Sequence, residues 1–177
     1  MDFHIHSDAW PLHAGLSTAD VFAAAITIDT GAGEIWVPCV THMLLLSASH
    51  AARDLFGPST VKSLVDSAGL LVRQGDQVNW PEFEARMTTA RMGGPVRAYL
   101  GLLDSLGADT GVVPGHLKMR SESREFGRAL GDYIALFPGD LSVLARARRE
   151  WLLCAEPAVA LGRNFQRLKG LLGFGRR

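Results

Sequence analysis

The side chains best suited to chemistry stand at the start of the chain, in Asp2-Phe3-His4-Ile5-His6-Ser7-Asp8. In an extended strand alternate residues share a face, so His4 and His6 present two imidazoles to one side, as two ligands of one zinc or other divalent ion must be. Two ligands do not close a zinc shell, and His13 or Asp8 would have to add to them. The plainer reading of the same pair is two half-exposed polar residues on a strand.

A second pair lies further on. If the segments around His50 and Asp66 form adjacent antiparallel helices, the two side chains can meet as a buried pair. Such a pair either orients a ligand or satisfies itself by a histidine–carboxylate hydrogen bond that fixes helix register. Glu82-Phe83-Glu84 brings two carboxylates close in sequence, but a helix splays side chains two apart, and Glu82 is placed to serve an N-cap, so this reads as a solvated face. At the C-terminus Leu161, Phe165, Leu168 and Leu172 recur at helical spacing opposite Arg163 and Arg167, with Lys169, Arg176 and Arg177 beside them. A basic amphipathic segment over residues 161–177 suits peripheral contact with an anionic membrane, docking in a partner's groove, or service as a last core helix.

These residues need elements to position them. Alternation in Met1–His6 predicts a short strand and Gly33–Val37 a second, with a helix between them begun by Ser17 or Thr18 and carrying Val21, Phe22, Ala24 and Ala25. From Thr41 the period becomes helical. Met43–Phe56 stops at Gly57-Pro58. A helix capped by Ser59 or Thr60 then carries Val61, Leu64, Val65, Ala68, Leu71 and Val72 on one stripe. Asn79-Trp80-Pro81-Glu82 predicts a helix over 81–92 presenting Phe83, Met87 and Ala90, broken at Gly93-Gly94-Pro95. Val96, Tyr99, Leu100, Leu103 and Leu106 mark the next, with Gly107 as its C-cap. Phe126–Phe137 and a last helix begun by Asp140 and kinked or divided at Pro157 complete the chain. The expected fold is mainly α, within an α+β class: a short N-terminal strand pair followed by about seven packed helices.

At 177 residues and 47% hydrophobic composition the chain can bury one sizeable core, so a single domain is expected over 1–177. Within it, 1–40 forms a strand–helix–strand segment, 41–117 a helical part and 118–177 C-terminal helices with a basic end. No apolar run approaches the ~20 residues of a membrane span, and the acidic start does not resemble a signal peptide, which makes the cytoplasm the expected compartment. Residues 140–177 carry eight Lys/Arg against three acidic side chains, leaving the first 139 residues at −5. That balance argues against nucleic acid as a partner and leaves a protein or peptide. Cys39 and Cys154 stand apart, with no C-x-x-C pair for a thiolate metal site.

Four blocks occur in order at helix-sized spacings: Thr41–Arg53 with its two histidines, Leu64–Leu71 with a central Asp66, Val78–Phe83 led by Trp80, and Arg97–Leu103. The pattern resembles the C-terminal half of the uncharacterised nucleotidyltransferase family, and Asp2-Phe3-His4 is similar to the short strand that precedes this half. The resemblance covers roughly residues 1–117. Family relatives accompany peptide natural-product and polysaccharide gene clusters, which implies a bacterial biosynthetic setting. Transfer in the wider superfamily uses a Gly-Ser or Gly-Gly turn, an Asp-x-Asp pair and a third carboxylate, which together hold two metal ions. On that resemblance Asp2 fits the third carboxylate. No Asp-x-Asp or Asp-x-Glu occurs in the 177 residues, so magnesium is expected only if another chain or an upstream segment completes the site.

The resemblance therefore implies a scaffold that binds or assists in biosynthesis, or a part of an active transferase supplied with its remaining half. A weaker local likeness joins Asp2–Asp8 to the Asp-x-His-x-His opening of PHP-type and amidohydrolase enzymes, which implies a metal-dependent hydrolase. Those enzymes complete their site from later strands of an α/β barrel, and alternating strand–helix units are not seen here.

Overall fold

The computed structural model describes residues 12–53, 56–57, 60–120, 122–128, 142, 144–145, 147–148, 151 and 157–171. Asp2, His4, His6 and the predicted strand over Met1–His6 lie outside them, as does most of the predicted helix ending at Phe137.

The first helix, α1 (Thr18–Ala23), begins at the cap the sequence marks. Ser17 Oγ accepts from the Asp20 amide, and the Asp20 carboxylate accepts from the Ser17 amide, a complete capping box. It is shorter than expected, because Ile26-Thr27-Ile28-Asp29 is a β-branched run that extends as β1 (Ile26–Asp29). Its antiparallel partner is β2 (Glu34–Val37), with Ile26 opposite Val37 and Ile28 opposite Ile35. The strand pair thus forms from Ile26–Asp29, where the sequence reading had none. Its turn is built locally: Asp29 Oδ1 accepts from the Gly31 amide, Thr30 donates twice to the Gly33 carbonyl, and Gly31 and Gly33 take φ of 75° and 139°.

Helices follow: α2 (Val40–Arg53), α3 (Thr60–Gln74), α4 (Trp80–Thr89) and α5 (Gly93–Ser105). The central helix is α2, which packs against α3, α4 and α5. Its inner face, Leu44, Leu45, Ala48, Ala51 and Ala52, meets Phe83 and Met87 of α4 and Val96, Tyr99, Leu100 and Leu103 of α5 in one buried cluster. Each large apolar side chain so buried contributes about 1.5–3 kcal/mol. Trp80 and Phe83 meet edge to face at 5.4 Å.

Two breaks differ in detail from the glycine signals. Phe56 itself takes the left-handed backbone at φ 53°, its amide bonded to the Ala51 carbonyl, and the buried ring against Tyr99 at 6.3 Å offsets a conformation that disfavours a side chain. Arg91 does the same after α4 at φ 55°, so α4 ends sooner than read, and Gly93-Gly94-Pro95 forms the first turn of α5, where a missing N–H costs nothing. Gly107 turns the chain after α5 at φ 83°, as its sequence position suggests, while Leu106 is exposed.

The stripe on α3 is turned from the sequence expectation. Thr60, Leu64, Ser67 and Leu71 are buried, whereas Val61, Val65 and Val72 face solvent. Tyr99 explains the turn: its fully buried hydroxyl donates to the Ser63 carbonyl at 2.6 Å and accepts from Ser67 Oγ at 2.7 Å. Burial pushes this phenol up from its ordinary pKa.

Beyond α5, Met119 donates its amide to the Arg97 carbonyl and Phe126 packs against Gly101, so that both lie over α5. The last described helix is α6 (Pro157–Leu171); the residues just before Pro157 lie outside the described ones. Leu144 and Trp151 are exposed.

Candidate functional site

Between α2 and α3 runs a groove of about 600 Å³, a volume typical of ligand clefts. Its floor is apolar, formed by Met43 and Leu46 from α2 and Leu70 from α3. Around this floor stand Ser47, His50, Lys62, Ser63, Asp66, Arg73 and Gln74. The two side chains nominated as a pair, His50 and Asp66, thus line one groove. They are not the buried pair expected: both are exposed, and Asp66 Oδ2 accepts from Lys62 Nζ one helical turn away at 2.6 Å. The same rotation of α3 that buries Ser67 carries its neighbour Asp66 to the flank.

The Lys62–Asp66 pair is solvated on both sides, so it adds little to stability and leaves that end of the groove near neutral. Arg73 differs. No acidic side chain among the described residues pairs with it, and its guanidinium folds over Gly69, where a Cβ would stand 3.0 Å from Nη2. Lys62 and Arg73 are eleven residues apart on one helix, about 16 Å along the axis. The groove therefore offers an apolar trough with, at one end, a cation that no acidic side chain among the described residues pairs with.

A second constellation escaped the sequence reading. The side chain of His42 is buried, and its Nε2 lies 3.1 Å from Glu82 Oε1. That same oxygen accepts from Arg86 Nε at 2.8 Å, and Arg86 continues to the Gly15 carbonyl at 3.0 Å and to Asp20 at 3.3 Å. Glu82 is therefore not a solvated face. Its amide does bond to Asn79 Oδ1, but the reciprocal half of the capping box is replaced, because the Asn79 amide donates to Thr41 Oγ1 at 2.9 Å. The carboxylate is left for His42 and Arg86. The readable signal was the i,i+4 spacing of Glu82 and Arg86; the cross-helix partner His42 was not readable.

The chain of charge joins α1, α2 and α4. Hydrogen bonds from the Ser17 hydroxyl and amide, with Arg86 beyond them, lower the Asp20 pKa to about 2. Arg86 likewise holds the Glu82 carboxyl below its usual range, with His42 assisting. Burial works against the charge on Arg86, but Glu82 and Asp20 together raise its pKa. This arrangement clamps the segment before α1 onto the bundle. Glu84, by contrast, pairs with His116 at the surface.

Two metal ions need several carboxylates around one point. Among the described residues no three His, Cys, Asp or Glu side chains are grouped so as to hold an ion. The described residues do not fit such a centre.

A mainly helical bundle carrying a short antiparallel hairpin, with a groove between its second and third helices, is the class of protein this geometry defines. Residues 2–107 match the family described as uncharacterised nucleotidyltransferase, and the chain belongs to that family. The match contains both the groove and the His42–Glu82–Arg86–Asp20 clamp. No curated protein and no solved structure matches the chain.

Proposed function

We propose that this chain works as a binding or accessory scaffold of the nucleotidyltransferase type, holding a peptide or protein segment in the α2–α3 groove for a biosynthetic enzyme that makes a peptide natural product or polysaccharide. The observation that carries the reading is the groove itself. A trough about 16 Å long accommodates roughly five residues of extended chain. Met43, Leu46 and Leu70 would take apolar side chains, Ser47, Ser63 and Gln74 offer hydrogen bonds to backbone, and Arg73 suits a carboxylate. His50 and Asp66 act here as binding residues at the other end. The absence of Asp-x-Asp and Asp-x-Glu from the 177 residues supports binding over transfer.

Calorimetry with magnesium-ATP tests the second half of this reading. No heat above dilution is expected from the purified chain, and tight magnesium-dependent binding would overturn it.

A second reading, in which an upstream segment or a second chain supplies the other carboxylates beside Asp2, is favoured by the hairpin. Ile26, Ile28 and Ile35 share one face of β1–β2, Trp36 projects from the other, and all four are exposed. Among the described residues no layer covers this two-stranded sheet, and such a sheet is marginal by itself. Translation of the DNA upstream of Met1 distinguishes the two: an in-frame Gly-Ser and Asp-x-Asp segment supports completion and removes the accessory role.

A further inference from the structure

The helix α6 lies outside the family match and takes no part in the groove. Leu161, Phe165 and Leu168 fall at i, i+4 and i+7, a single narrow stripe, and are 57%, 58% and 50% exposed. Ala160, on another side of the helix, is fully buried, so α6 is seated by that flank and turns its bulkiest apolar side chains outward. A stripe of this kind on the last core helix of a bundle would be covered.

Charge says what covers it. From Pro157 to Arg177 the chain carries five basic side chains and no acidic one. Lys169 stands at the margin of the stripe, its Nζ 4.9 Å from the centre of the Phe165 ring, which puts an ammonium where a helix lying in a membrane surface meets lipid headgroups. Residues 1–139 carry a net −5, so an anionic surface attracts this end and repels the remainder, orienting the protein with α6 inward. No described helix is long and apolar enough to cross a membrane.

We propose that α6 is a surface anchor: the Leu161–Phe165–Leu168 face enters an anionic lipid bilayer at headgroup depth, with Lys169 at its edge. The helix lies on the bilayer rather than spanning it, and its hold combines buried apolar area with attraction to anionic lipid, so both must contribute.

Co-sedimentation of the full chain with vesicles separates these contributions. Vesicles of phosphatidylcholine with about one third phosphatidylglycerol should bind the protein at about 0.05 M salt and release most of it at about 0.5 M, whereas pure phosphatidylcholine should bind little. Phe165→Ser should weaken binding about tenfold and Lys169→Gln about fivefold. Both side chains are exposed, so circular dichroism and melting temperature should match the wild type. Failure of the wild type to bind anionic vesicles at low salt overturns the proposal. So do equal binding to neutral vesicles, and unchanged binding by Phe165→Ser. A lowered melting temperature in Phe165→Ser would mark the ring as packed against protein, and overturns it equally.

Discussion

Tyr99→Phe removes one oxygen from a side chain with no exposed surface, and its consequence follows from the two bonds that oxygen makes. The phenol donates to the Ser63 carbonyl and accepts from the Ser67 hydroxyl, both on α3. Without it the Ser63 carbonyl keeps its place in the helix ladder, but Ser67 Oγ loses its acceptor in a buried position. Leaving a buried donor unsatisfied costs about 1–3 kcal/mol. Ser67 has one escape, since its hydroxyl can turn back to the carbonyl four residues earlier, again that of Ser63. The expected loss is therefore about 1–2 kcal/mol, or about 2–8 °C in melting temperature for a chain of this size. Thermal melts followed by circular dichroism measure it. Ser67→Ala combined with Tyr99→Phe should cost less than the sum of the two singles, because each removes the other's partner. An unchanged melting temperature, or strict additivity, would refute Tyr99 as the pin that sets the rotation of α3 and hence the wall of the groove.

Other expectations concern separate parts of the molecule. In Gly101→Ala the added Cβ would stand 2.6 Å from the Met119 carbonyl and 3.1 Å from the Phe126 ring, so Met119 and Phe126 must shift, and a loss of about 1–3 kcal/mol in urea unfolding is expected. Asp20→Asn should be less stable than wild type at pH 7. The Asp20 pKa is depressed from 3.8 to about 2 in the folded chain, so its contribution is complete above about pH 4 and disappears as pH falls through about 2. The gap between the two proteins in acid titrations should close over that interval; a constant gap would contradict the clamp. Metal analysis of wild type, His4→Ala and His6→Ala separates the scaffold from a hydrolase: a scaffold needs no stoichiometric ion, and an ion lost from both variants would establish the N-terminal histidines as ligands.

The helices were legible because their start and stop signals are local. Ser17 with Asp20, and Asn79 with Pro81, act within one turn, and the structure places caps at both. Phe83, Met87 and Ala90 were legible as a buried face for the same reason, having one period and one side. Where partners lie far apart in sequence the reading failed. The rotation of α3 depends on Tyr99, more than thirty residues away, so the apolar stripe alone does not reveal that Val65 and Val72 are exposed. The role of Glu82 depends on His42, forty residues earlier. The strand Ile26–Asp29 was not legible, because four residues after an alanine-rich segment hold too short a period to stand out. His50 and Asp66 both line the open groove and do not form a buried pair.

Selection of short peptides from a random library on the intact chain tests the proposed binding role most directly, with Arg73→Glu and Leu70→Ser as comparison proteins. Peptides carrying apolar residues next to an acidic one should be enriched. Their affinity should fall at least about tenfold on Arg73→Glu, since a charge pair becomes a repulsion, and by a similar factor on Leu70→Ser. Enriched peptides that bind all three proteins equally, or no enrichment at all, would contradict the groove as the working surface of this protein.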